Sequence, residues 1–348
     1  MRQALFHGPG DVRLAEVPVP SPGAGEVLVK VEVTLVCGTD AKTYRRGHPL
    51  LLAEAPAPFG HEYSGTIVET GEGVSNFRVG DRVTSANSAP CGHCFFCRRD
   101  QFSLCEHLQP LLNGAYADYL LVPAPIVATN MFRVPEDMPA ERAALLEPLA
   151  CVLKGLEVGT PGPGVTVAII GLGPIGLMLV YGAASRGARV IAVGRGRHKL
   201  EAAKRMGAEH VIDSDGSADA LTAVRALTEE ERGVDLAVEA VGLPEVWDFA
   251  IAAARKGGTV NFFGGCEPGS FATVDTYRLH YEELTLAAAF HHTPRHVRLA
   301  MDLLKRPDFP HEVLITHRYP LEELVLPLRM MSNELPRDPA FIKAAVVP

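Results

Sequence analysis

The stretch Val165–Gly176, which reads VTVAIIGLGPIG, decides the fold of this chain. Its first half is an apolar, β-branched run typical of a buried strand, and its second half fits the pattern G-x-G-x-x-G. Between a strand and a helix, the first glycine permits a tight turn, the second lets the backbone approach a pyrophosphate, and the third allows close helix–sheet packing. The helix N-terminus then offers free N–H groups to the anion. The predicted dinucleotide contacts are Gly171, Gly173, Pro174, Ile175, Gly176 and, after a later strand, Val241.

The segments on either side of this motif differ in character. From Val165 to Phe263, predicted strands alternate with predicted helices, which is typical of a doubly wound parallel sheet of the Rossmann type. Residues 1 to about 130 contain short β segments such as Glu26–Leu35, separated by glycine-rich turns, and favour a barrel or a sandwich. Between these two parts, Glu141–Glu157 has the pattern of a helix. The stretch from about Pro294 is too short for a domain of its own, so we expect it to return to the first one. The predicted fold class is therefore α/β with two domains.

The end of the second Rossmann strand indicates which dinucleotide is bound. An NAD site normally carries Asp or Glu about 20 residues beyond the glycines, where it bonds the ribose 2′-hydroxyl. Here the strand Arg189–Val193 runs into Gly194–Arg197, which reads GRGR and has no carboxylate. Gly194 leaves room for a 2′-phosphate, and the guanidinium groups of Arg195 and Arg197 suit it. The alternative is that these arginines are solvated surface residues. The sequence favours NADP over NAD.

The cysteines indicate a metal rather than disulfides. The chain has seven, and four of them follow the spacing C-x2-C-x2-C-x7-C, a clustering more typical of metal ligands in an intracellular chain. Four thiolates close a tetrahedral site without leaving a position for substrate, which predicts a structural zinc. A bacterial ferredoxin cluster would need a shorter last gap and a following proline. The predicted ligands are Cys91, Cys94, Cys97 and Cys105, with His93 and His107 as bystanders.

A second group of candidate ligands comes from two separate segments, Cys37–Asp40 (CGTD) and Gly60–Glu62 (GHE). A thiolate and an imidazole with a carboxylate nearby suit a catalytic zinc that keeps one coordination position open. Asp40 is placed to accept the second ring N–H of His61 and so to orient the ring. Taken singly, Cys37 is better explained as a buried small residue than as a ligand, and His61 is equally ambiguous. Their combination carries the prediction.

The stretch Gly60–Ile67, which reads GHEYSGTI, resembles the signature of the zinc-dependent medium-chain dehydrogenases of the alcohol dehydrogenase superfamily. The CGTD segment ahead of it, the four-cysteine segment and the glycine pattern follow in that family's order. The resemblance covers essentially the whole chain. Glu147 and Pro148 match the Glu-Pro of the polyol (sorbitol) and threonine dehydrogenase branch. The chain therefore resembles that branch most closely.

This resemblance implies a division of the chain into three segments. Residues 1–152 would form a GroES-like β-barrel catalytic domain, with a zinc lobe at about 88–108. Residues 153–292 would form the Rossmann dinucleotide-binding domain. Residues 293–348 would return to the catalytic domain.

The resemblance also implies roles for the residues of the second group. The implied ligands of a catalytic zinc are Cys37, His61 and Glu62. Glu147 would be an alternative or water-bridged carboxylate. Thr39 would carry the hydroxyl that takes the proton of the alcohol. Lys42 stands where related alcohol and threonine dehydrogenases often have a histidine, so the further route of the proton is left open.

The implied enzyme transfers a hydride between a secondary alcohol and NAD(P), giving a ketone, with zinc as the Lewis acid. The substrate would be a polyol, a sugar alcohol or an amino alcohol; threonine 3-dehydrogenase and butanediol activities are alternatives. The substrate is expected to contact Phe59, the loop from Tyr44 to Leu52 and one of His291 and His292, because adjacent side chains of an extended segment point to opposite faces. A neutral imidazole can donate to one hydroxyl and accept from another, which suits a polyol. Two zinc ions per chain and NADP are the implied metals and cofactor.

Charge and composition exclude several other classes. The formal net charge is −8, which argues against nucleic acid and anionic membranes as partners. The uncharged stretch Val158–Ser185 is long enough to span a bilayer, but it holds seven glycines, three prolines and the dinucleotide pattern. The start MRQALFHGPG has no apolar signal region, which favours the cytoplasm.

The resemblance implies a homo-oligomer, a dimer or a tetramer. A non-catalytic dinucleotide-binding protein is a distant alternative, disfavoured because the zinc-ligand candidates and Thr39 are all present.

Overall fold

The computed structural model describes residues 1–47, 55–108, 110–215 and 219–348, so residues 48–52 of the predicted substrate loop lie outside the described residues. The strands are β1 (Arg2–Gly8), β2 (Asp11–Glu16), β3 (Val27–Leu35), β4 (Ala57–Pro58), β5 (Glu62–Thr70), β6 (Arg82–Ser85), β7 (Tyr119–Val122), β8 (Met131–Arg133), β9 (Thr166–Ile170), β10 (Arg189–Gly194), β11 (His210–Asp213), β12 (Val234–Glu239), β13 (Ala254–Phe262), β14 (Thr285–Ala288), β15 (Ile315–Pro320) and β16 (Lys343–Val347). The α-helices are α1 (Gly38–Arg46), α2 (Ala124–Thr129), α3 (Ala140–Ala143), α4 (Leu146–Gly155), α5 (Pro174–Ala184), α6 (Arg197–Arg205), α7 (Ala220–Ala226), α8 (Pro244–Ala253), α9 (Thr276–Tyr281), α10 (Pro294–Leu304), α11 (His311–Leu314) and α12 (Val325–Met331).

The chain divides into two compact units. The first unit consists of Met1–Ala150 together with His292–Pro348, and the second consists of Cys151–His291. The predicted boundaries, after residues 152 and 292, lie one or two residues from these. The second unit is thus inserted in the chain of the first.

The second unit is built on a six-stranded parallel sheet in the order β11-β10-β9-β12-β13-β14. The chain starts at the middle of the sheet, winds to one edge, and then winds from the middle to the other edge. The strand order therefore reverses between β9 and β12, which confirms the predicted doubly wound sheet. In such sheets a dinucleotide binds across the crevice at the point of reversal, outside the carboxyl ends of the strands.

The first unit contains a seven-stranded sheet with the path β15-β16-β3-β5-β6-β8, and β7 also pairs with β3. A smaller sheet has the order β2-β1-β4. The last strand, β16, runs antiparallel to β3, with Ala345 opposite Leu35 and Val346 opposite Thr34. The C-terminal stretch is therefore a central part of the sheet that also contains the CGTD and GHE segments at its strand ends.

One predicted helix is divided in two. The sequence predicts a single helix over Glu141–Glu157, but α3 ends at Ala143 and α4 begins at Leu146. Pro148 has no backbone N–H to donate, so it is tolerated in the first turn of a helix but not in its interior. A new helix that starts at Leu146 places Pro148 in its first turn. Within the described residues, none of the helices has the length and apolar character needed to cross a membrane.

Candidate metal centres and dinucleotide site

The four cysteines of the predicted structural site come together in the first unit. Their sulfur atoms all lie within 4.8 Å of one another. Cys91 Sγ is 4.0 Å from Cys97 Sγ, and Cys94 Sγ is 3.9 Å from Cys105 Sγ. Zn–S bonds of about 2.3 Å in a tetrahedron separate the sulfur atoms by about 3.8 Å. Because all four thiols are free of disulfides, this spacing fits a zinc ion.

The surroundings of these sulfur atoms also favour thiolates. The backbone N–H groups of Cys91 and His107 each donate to Cys105 Sγ at 3.3 Å. The rings of His93 and His107 are exposed and stack with their centroids 5.8 Å apart. Each also has a ring nitrogen within 4.8 Å of Cys91 Sγ. With four thiolates available, we keep both histidines as bystanders.

Cys37 occupies the N-cap of α1, where its side chain is held by the helix itself. Its sulfur accepts a hydrogen bond from Thr39 N at 3.4 Å. Asp40 completes the capping box, because its Oδ2 accepts from Cys37 N at 3.0 Å. Such reciprocal bonds satisfy N–H groups that a helix leaves unpaired at its first turn. The CGTD segment therefore fixes the position of Cys37 and of Asp40 at once.

His61 is brought to this group by the backbone at Gly60. Gly60 has a φ of +90°, and a Cβ there would lie 2.5 Å from the ring of Tyr116, so both the conformation and the space require glycine. His61 Nδ1 lies 3.3 Å from Asp40 Oδ1, within ion-pair distance, although the angles are not those of a hydrogen bond. Tyr116, which sequence reasoning missed, donates its hydroxyl to Asp40 Oδ2 at 2.5 Å. The Asp40 carboxylate is thus in contact with Cys37 N, His61 Nδ1 and the Tyr116 hydroxyl.

The charge state of His61 depends on this carboxylate. Burial lowers the pKa of His61, but the interaction with Asp40 outweighs burial, and the pKa of the ring lies well above its ordinary value. Burial likewise raises the pKa of Asp40, while His61, Tyr116 and Cys37 together bring it below its ordinary value. Since a metal ligand must be neutral imidazole, protonation of this ring would compete with binding of a metal here.

Glu62 supplies the carboxylate of the second group. A sulfur, a ring nitrogen and a carboxylate oxygen of Cys37, His61 and Glu62 lie within 4.8 Å of one another. Glu62 is 0% exposed, and its Oε1 has no hydrogen-bond partner among the described residues. Its Oε2 lies 2.6 Å from Nζ of Lys343 at an ion-pair distance, although the angles are not those of a hydrogen bond. A buried carboxylate oxygen beside a thiol and an imidazole fits the ligand set of a zinc ion.

Lys343 was not predicted to belong to this site. It is 3% exposed. Burial lowers the pKa of its ammonium group, but Glu62 and Cys37 outweigh burial and raise it above its ordinary value. The side chain is therefore a buried cation.

Glu147 lies with a different set of residues. It is 7% exposed, and a carboxylate oxygen lies within 4.8 Å of a ring nitrogen of His292. His292 is also buried, and its Nε2 lies 3.2 Å from Asn87 Oδ1. Among the described residues, the group that contains Cys37 includes Glu62 and not Glu147. The structure thus pairs Glu147 with one of the two predicted substrate histidines.

The backbone at His291 corrects one expectation. His291 has a φ of +60°, a left-handed conformation in which the chain turns. The segment is therefore not extended at this position, and the argument that His291 and His292 must point to opposite faces is wrong. His291 is the last residue of the second unit, and His292 is the first residue of the first unit after the insertion.

Phe59 also differs from its predicted role. It is 1% exposed and packs in the core of the first unit, with its ring centroid 6.0 Å from that of Phe6 and 5.5 Å from that of Tyr116. Its neighbour Gly60 turns the chain so that the aromatic ring faces inward. We therefore assign Phe59 to the core and not to substrate.

The three glycines of the fingerprint have distinct surroundings in the second unit. Gly171 has a φ of +100°, and a Cβ there would lie 2.6 Å from Cγ2 of Val241. A Cβ at Gly176 would lie 1.7 Å from Gly171 O. At Gly173, the N-cap of α5, a Cβ would meet no atom within 4 Å, and no side chain caps the helix. Open space and uncapped N–H groups at a helix N-terminus are what a pyrophosphate requires.

The end of β10 is basic, and Gly194 itself lies against Leu172. A Cβ at Gly194 would lie 2.6 Å from Cγ of Leu172, so a larger residue here, including the carboxylate of an NAD site, would displace Leu172. Arg195 and Arg197 are exposed, as is His198, a third basic residue that sequence reasoning missed. Arg195 lies 3.8 Å from Asp215, and both side chains are largely exposed. An exposed ion pair at this distance contributes little to stability, so the guanidinium of Arg195 is available to bind a phosphate.

A buried carboxylate that was not predicted fixes Val241. Glu239, at the end of β12, is 0% exposed. Its Oε1 accepts from Val241 N at 2.5 Å and from Gly242 N at 2.8 Å. Burial raises its pKa, although these N–H groups act in the other direction. Glu239 therefore holds the turn that packs against Gly171.

Comparison with known families and proteins agrees with this geometry. Residues 23–135 match the family model of the alcohol dehydrogenase GroES-like domain. Residues 174–306 match the family model of the zinc-binding dehydrogenases. The predicted combination of a GroES-like domain with a Rossmann-type sheet is thereby confirmed.

Individual relatives are similar over most of the chain. It is 35% identical over 270 residues to the sorbitol dehydrogenase of Bacillus subtilis, covering 76% of this chain and 75% of that protein. It is 33% identical over 315 residues to the L-threonine 3-dehydrogenase of Pyrococcus abyssi, covering 88% and 87%. A zinc-binding dehydrogenase from Sinorhizobium meliloti, solved bound to NADP, superposes with a TM-score of 0.89 at 30% identity, covering 100% of this chain and 99% of that one.

Proposed function

This chain belongs to the zinc-dependent medium-chain dehydrogenases, in the polyol and threonine dehydrogenase branch, and from that membership we propose how its residues work. It is a zinc-dependent alcohol or polyol dehydrogenase. We assign a catalytic zinc to Cys37, His61 and Glu62, and a structural zinc to the four-cysteine lobe. The observation that carries the assignment is the set of a half-buried thiol, a buried imidazole and a buried carboxylate, and neither Glu62 oxygen has a hydrogen bond among the described residues.

In the proposed reaction, each residue near this set has a separate task. When bound, zinc supplies Lewis-acid activation of an alcohol oxygen and the nicotinamide cofactor supplies hydride chemistry. Asp40 holds the ring of His61 in its ligand orientation, and Tyr116 holds Asp40. The hydroxyl of Thr39, two residues from Cys37 and half-buried, takes the proton of the alcohol.

The proposed substrates are secondary alcohols with further polar groups: polyols, sugar alcohols or amino alcohols. The printed activities of the relatives, on sorbitol and on L-threonine, support this class; threonine 3-dehydrogenase and butanediol activities are the alternatives. The test is a panel of polyols, amino alcohols and butanediols with both NAD and NADP. We expect reduction of the cofactor with at least one polyol. Turnover of monohydric alcohols alone would contradict the proposed class.

We propose that His292 contacts a substrate hydroxyl beside Glu147. Replacing His292 by alanine should lower kcat/KM for a polyol roughly three- to tenfold, the value of one neutral hydrogen bond. A short monohydric alcohol, which has no second hydroxyl to bind, should be affected much less. His291→Ala is measured in the same way, and we expect it to change the ratio of the two substrates less than His292→Ala does. An equal loss on both substrates in His292→Ala would show a packing role only.

We propose that the enzyme prefers NADP to NAD, because Gly194 provides no carboxylate and Arg195 can bind a 2′-phosphate. Replacing Arg195 by alanine should weaken NADP binding about ten- to a hundredfold, since a charge-assisted hydrogen bond contributes about 1.5–3 kcal/mol. Binding of NAD should change little. Lys204→Ala, an exposed cation near the other end of α6, controls for general charge. A wild-type protein that binds NAD far more tightly than NADP would contradict this assignment.

The proposal also includes a homo-oligomer, a dimer or a tetramer, in the cytoplasm. Unpaired thiolates that bind metal are typical of reducing compartments. The second unit exposes several large apolar side chains, and such surfaces often mark protein contacts. They are Phe271, Tyr277, Tyr281 and Phe290. Sedimentation equilibrium of the purified protein would give the number of chains.

A further inference from the structure

Lys343 is a buried cation in an apolar strand. It opens β16, whose other residues are Ala344, Ala345, Val346 and Val347. The side chain is 3% exposed, and its Nζ lies 2.6 Å from Glu62 Oε2 and 3.2 Å from Val36 O. A buried ammonium group is costly unless it is paired. Its partner here is one of the proposed zinc ligands.

The register of the sheet explains how a residue near the C-terminus reaches this site. β16 lies antiparallel to β3, with Ala345 opposite Leu35, and Val36 N donates to Ala344 O at 2.9 Å. Continuing this register by two residues sets Lys343 opposite Cys37. On the other side of β3, Leu35 is opposite Glu62. The position of Lys343 beside the ligand set is therefore determined by strand pairing.

The charges of the site balance only when Lys343 is included. Three groups carry or acquire a negative charge when a metal is bound: the thiolate of Cys37 and the carboxylates of Glu62 and Asp40. His61 is neutral as a ligand. A divalent cation neutralises two of the three charges, and the ammonium of Lys343 neutralises the third. Buried charges are stable when they are compensated in this way.

We propose that Lys343 is a positioning residue that holds Glu62 as an ion pair in the metal-free protein and weakens the affinity of the catalytic site for zinc. This inference rests on the proposed zinc site of Cys37, His61 and Glu62. Lys343 pairs with Oε2 of Glu62 at an ion-pair distance, and neither carboxylate oxygen has a hydrogen bond among the described residues. In the metal-free protein its positive charge compensates the negative charge of the buried Glu62 carboxylate. In the zinc-loaded protein it compensates one of the three negative charges, but it also places a like charge beside the cation and pairs with Glu62, which weakens the attraction between Glu62 and zinc.

The test is the variant Lys343→Met, which keeps the length of the side chain and removes its charge. Zinc affinity of the catalytic site is measured by competition with a chromogenic chelator, with the four-cysteine site kept loaded. We expect zinc to bind at least tenfold more tightly than in the wild type. We also expect the metal-free variant to melt at a clearly lower temperature, with most of that loss recovered when zinc is added.

Two further variants serve as controls. Arg318→Met removes the same charge from the neighbouring strand β15, where Arg318 is 60% exposed and pairs with Glu141, and should leave zinc affinity unchanged. Lys343→Arg keeps the charge and should retain the zinc affinity of the wild type. If metal-free Lys343→Met does not fold, the double variant Glu62→Gln/Lys343→Met, which removes both charges, should fold without metal.

The outcomes separate this inference from the proposed function. Unchanged or weaker zinc binding in Lys343→Met, with the same loss of melting temperature in the metal-free and zinc-loaded states, would overturn the role of Lys343. If instead the wild type binds one zinc per chain and Cys37→Ser leaves that content unchanged, the proposed catalytic site itself is refuted. Tighter zinc binding in Lys343→Met, together with unchanged zinc binding in Arg318→Met, would support both the role of Lys343 and the proposed catalytic site.

Discussion

Replacing Cys37 by serine should abolish turnover and leave the fold intact. The thiolate of Cys37 is the proposed charged ligand at the N-cap of α1, and serine can keep the capping bond but is a poor zinc ligand. Lewis-acid activation contributes several kcal/mol of transition-state stabilisation, so kcat should fall by a factor of about a thousand or more. The zinc content should fall from two ions to one per chain, while the melting temperature changes by only a few degrees.

Two companion variants make this prediction specific. His61→Ala removes a second proposed ligand and should give the same pattern. Cys266→Ser changes a half-buried cysteine of the second unit that takes part in no disulfide and should retain both zinc ions and full activity. Normal turnover in a Cys37→Ser protein that has lost one zinc ion would contradict a catalytic role for that metal.

Replacing Cys94 by serine should have the opposite effect, a large loss of stability with a smaller loss of turnover in the protein that remains folded. Cys94 is buried among the other three sulfur atoms of the lobe, and the binding energy of a structural metal contributes directly to folding. Loss of such a metal is among the few single changes that cost about 4 kcal/mol or more. Thermal unfolding followed by calorimetry, with zinc analysis of the folded fraction, measures both effects.

The neighbouring histidine provides the control for the lobe. His93→Ala removes an exposed ring near the sulfur atoms and should change neither the melting temperature nor the zinc content appreciably. If His93→Ala destabilises the protein as much as Cys94→Ser does, then four thiolates do not form the ligand set. The assignment of the lobe would have to include that histidine.

The parts of this protein that were predicted from sequence are those whose chemistry is local. The glycine fingerprint is contiguous with its strand and helix, so both the doubly wound sheet and the open N-terminus of α5 could be inferred. The four cysteines lie within fifteen residues, and their spacing alone indicated a metal. Asp40 could be linked to His61 because the short CGTD and GHE segments together supply the residue types of a metal site with an orienting carboxylate.

The parts that were missed depend on long-range pairing. Lys343 reaches Glu62 only through the register of β16 with β3, and the signal was a single charged residue within FIKAAVV, which must find a partner if the strand is buried. Tyr116 contacts Asp40 across 76 positions of sequence. The error at Phe59 has a similar cause, because nearness to the GHE motif in sequence does not determine which way the aromatic ring faces.

The central claim is that this chain transfers a hydride from a secondary alcohol to a nicotinamide cofactor. The most direct measurement uses the best alcohol of the panel with deuterium on its carbinol carbon, and mass spectrometry of the cofactor after turnover by the zinc-loaded protein. We predict that the reduced cofactor carries one deuterium for each ketone formed. Formation of ketone with an unlabelled cofactor, or with no reduced cofactor, would contradict the claim.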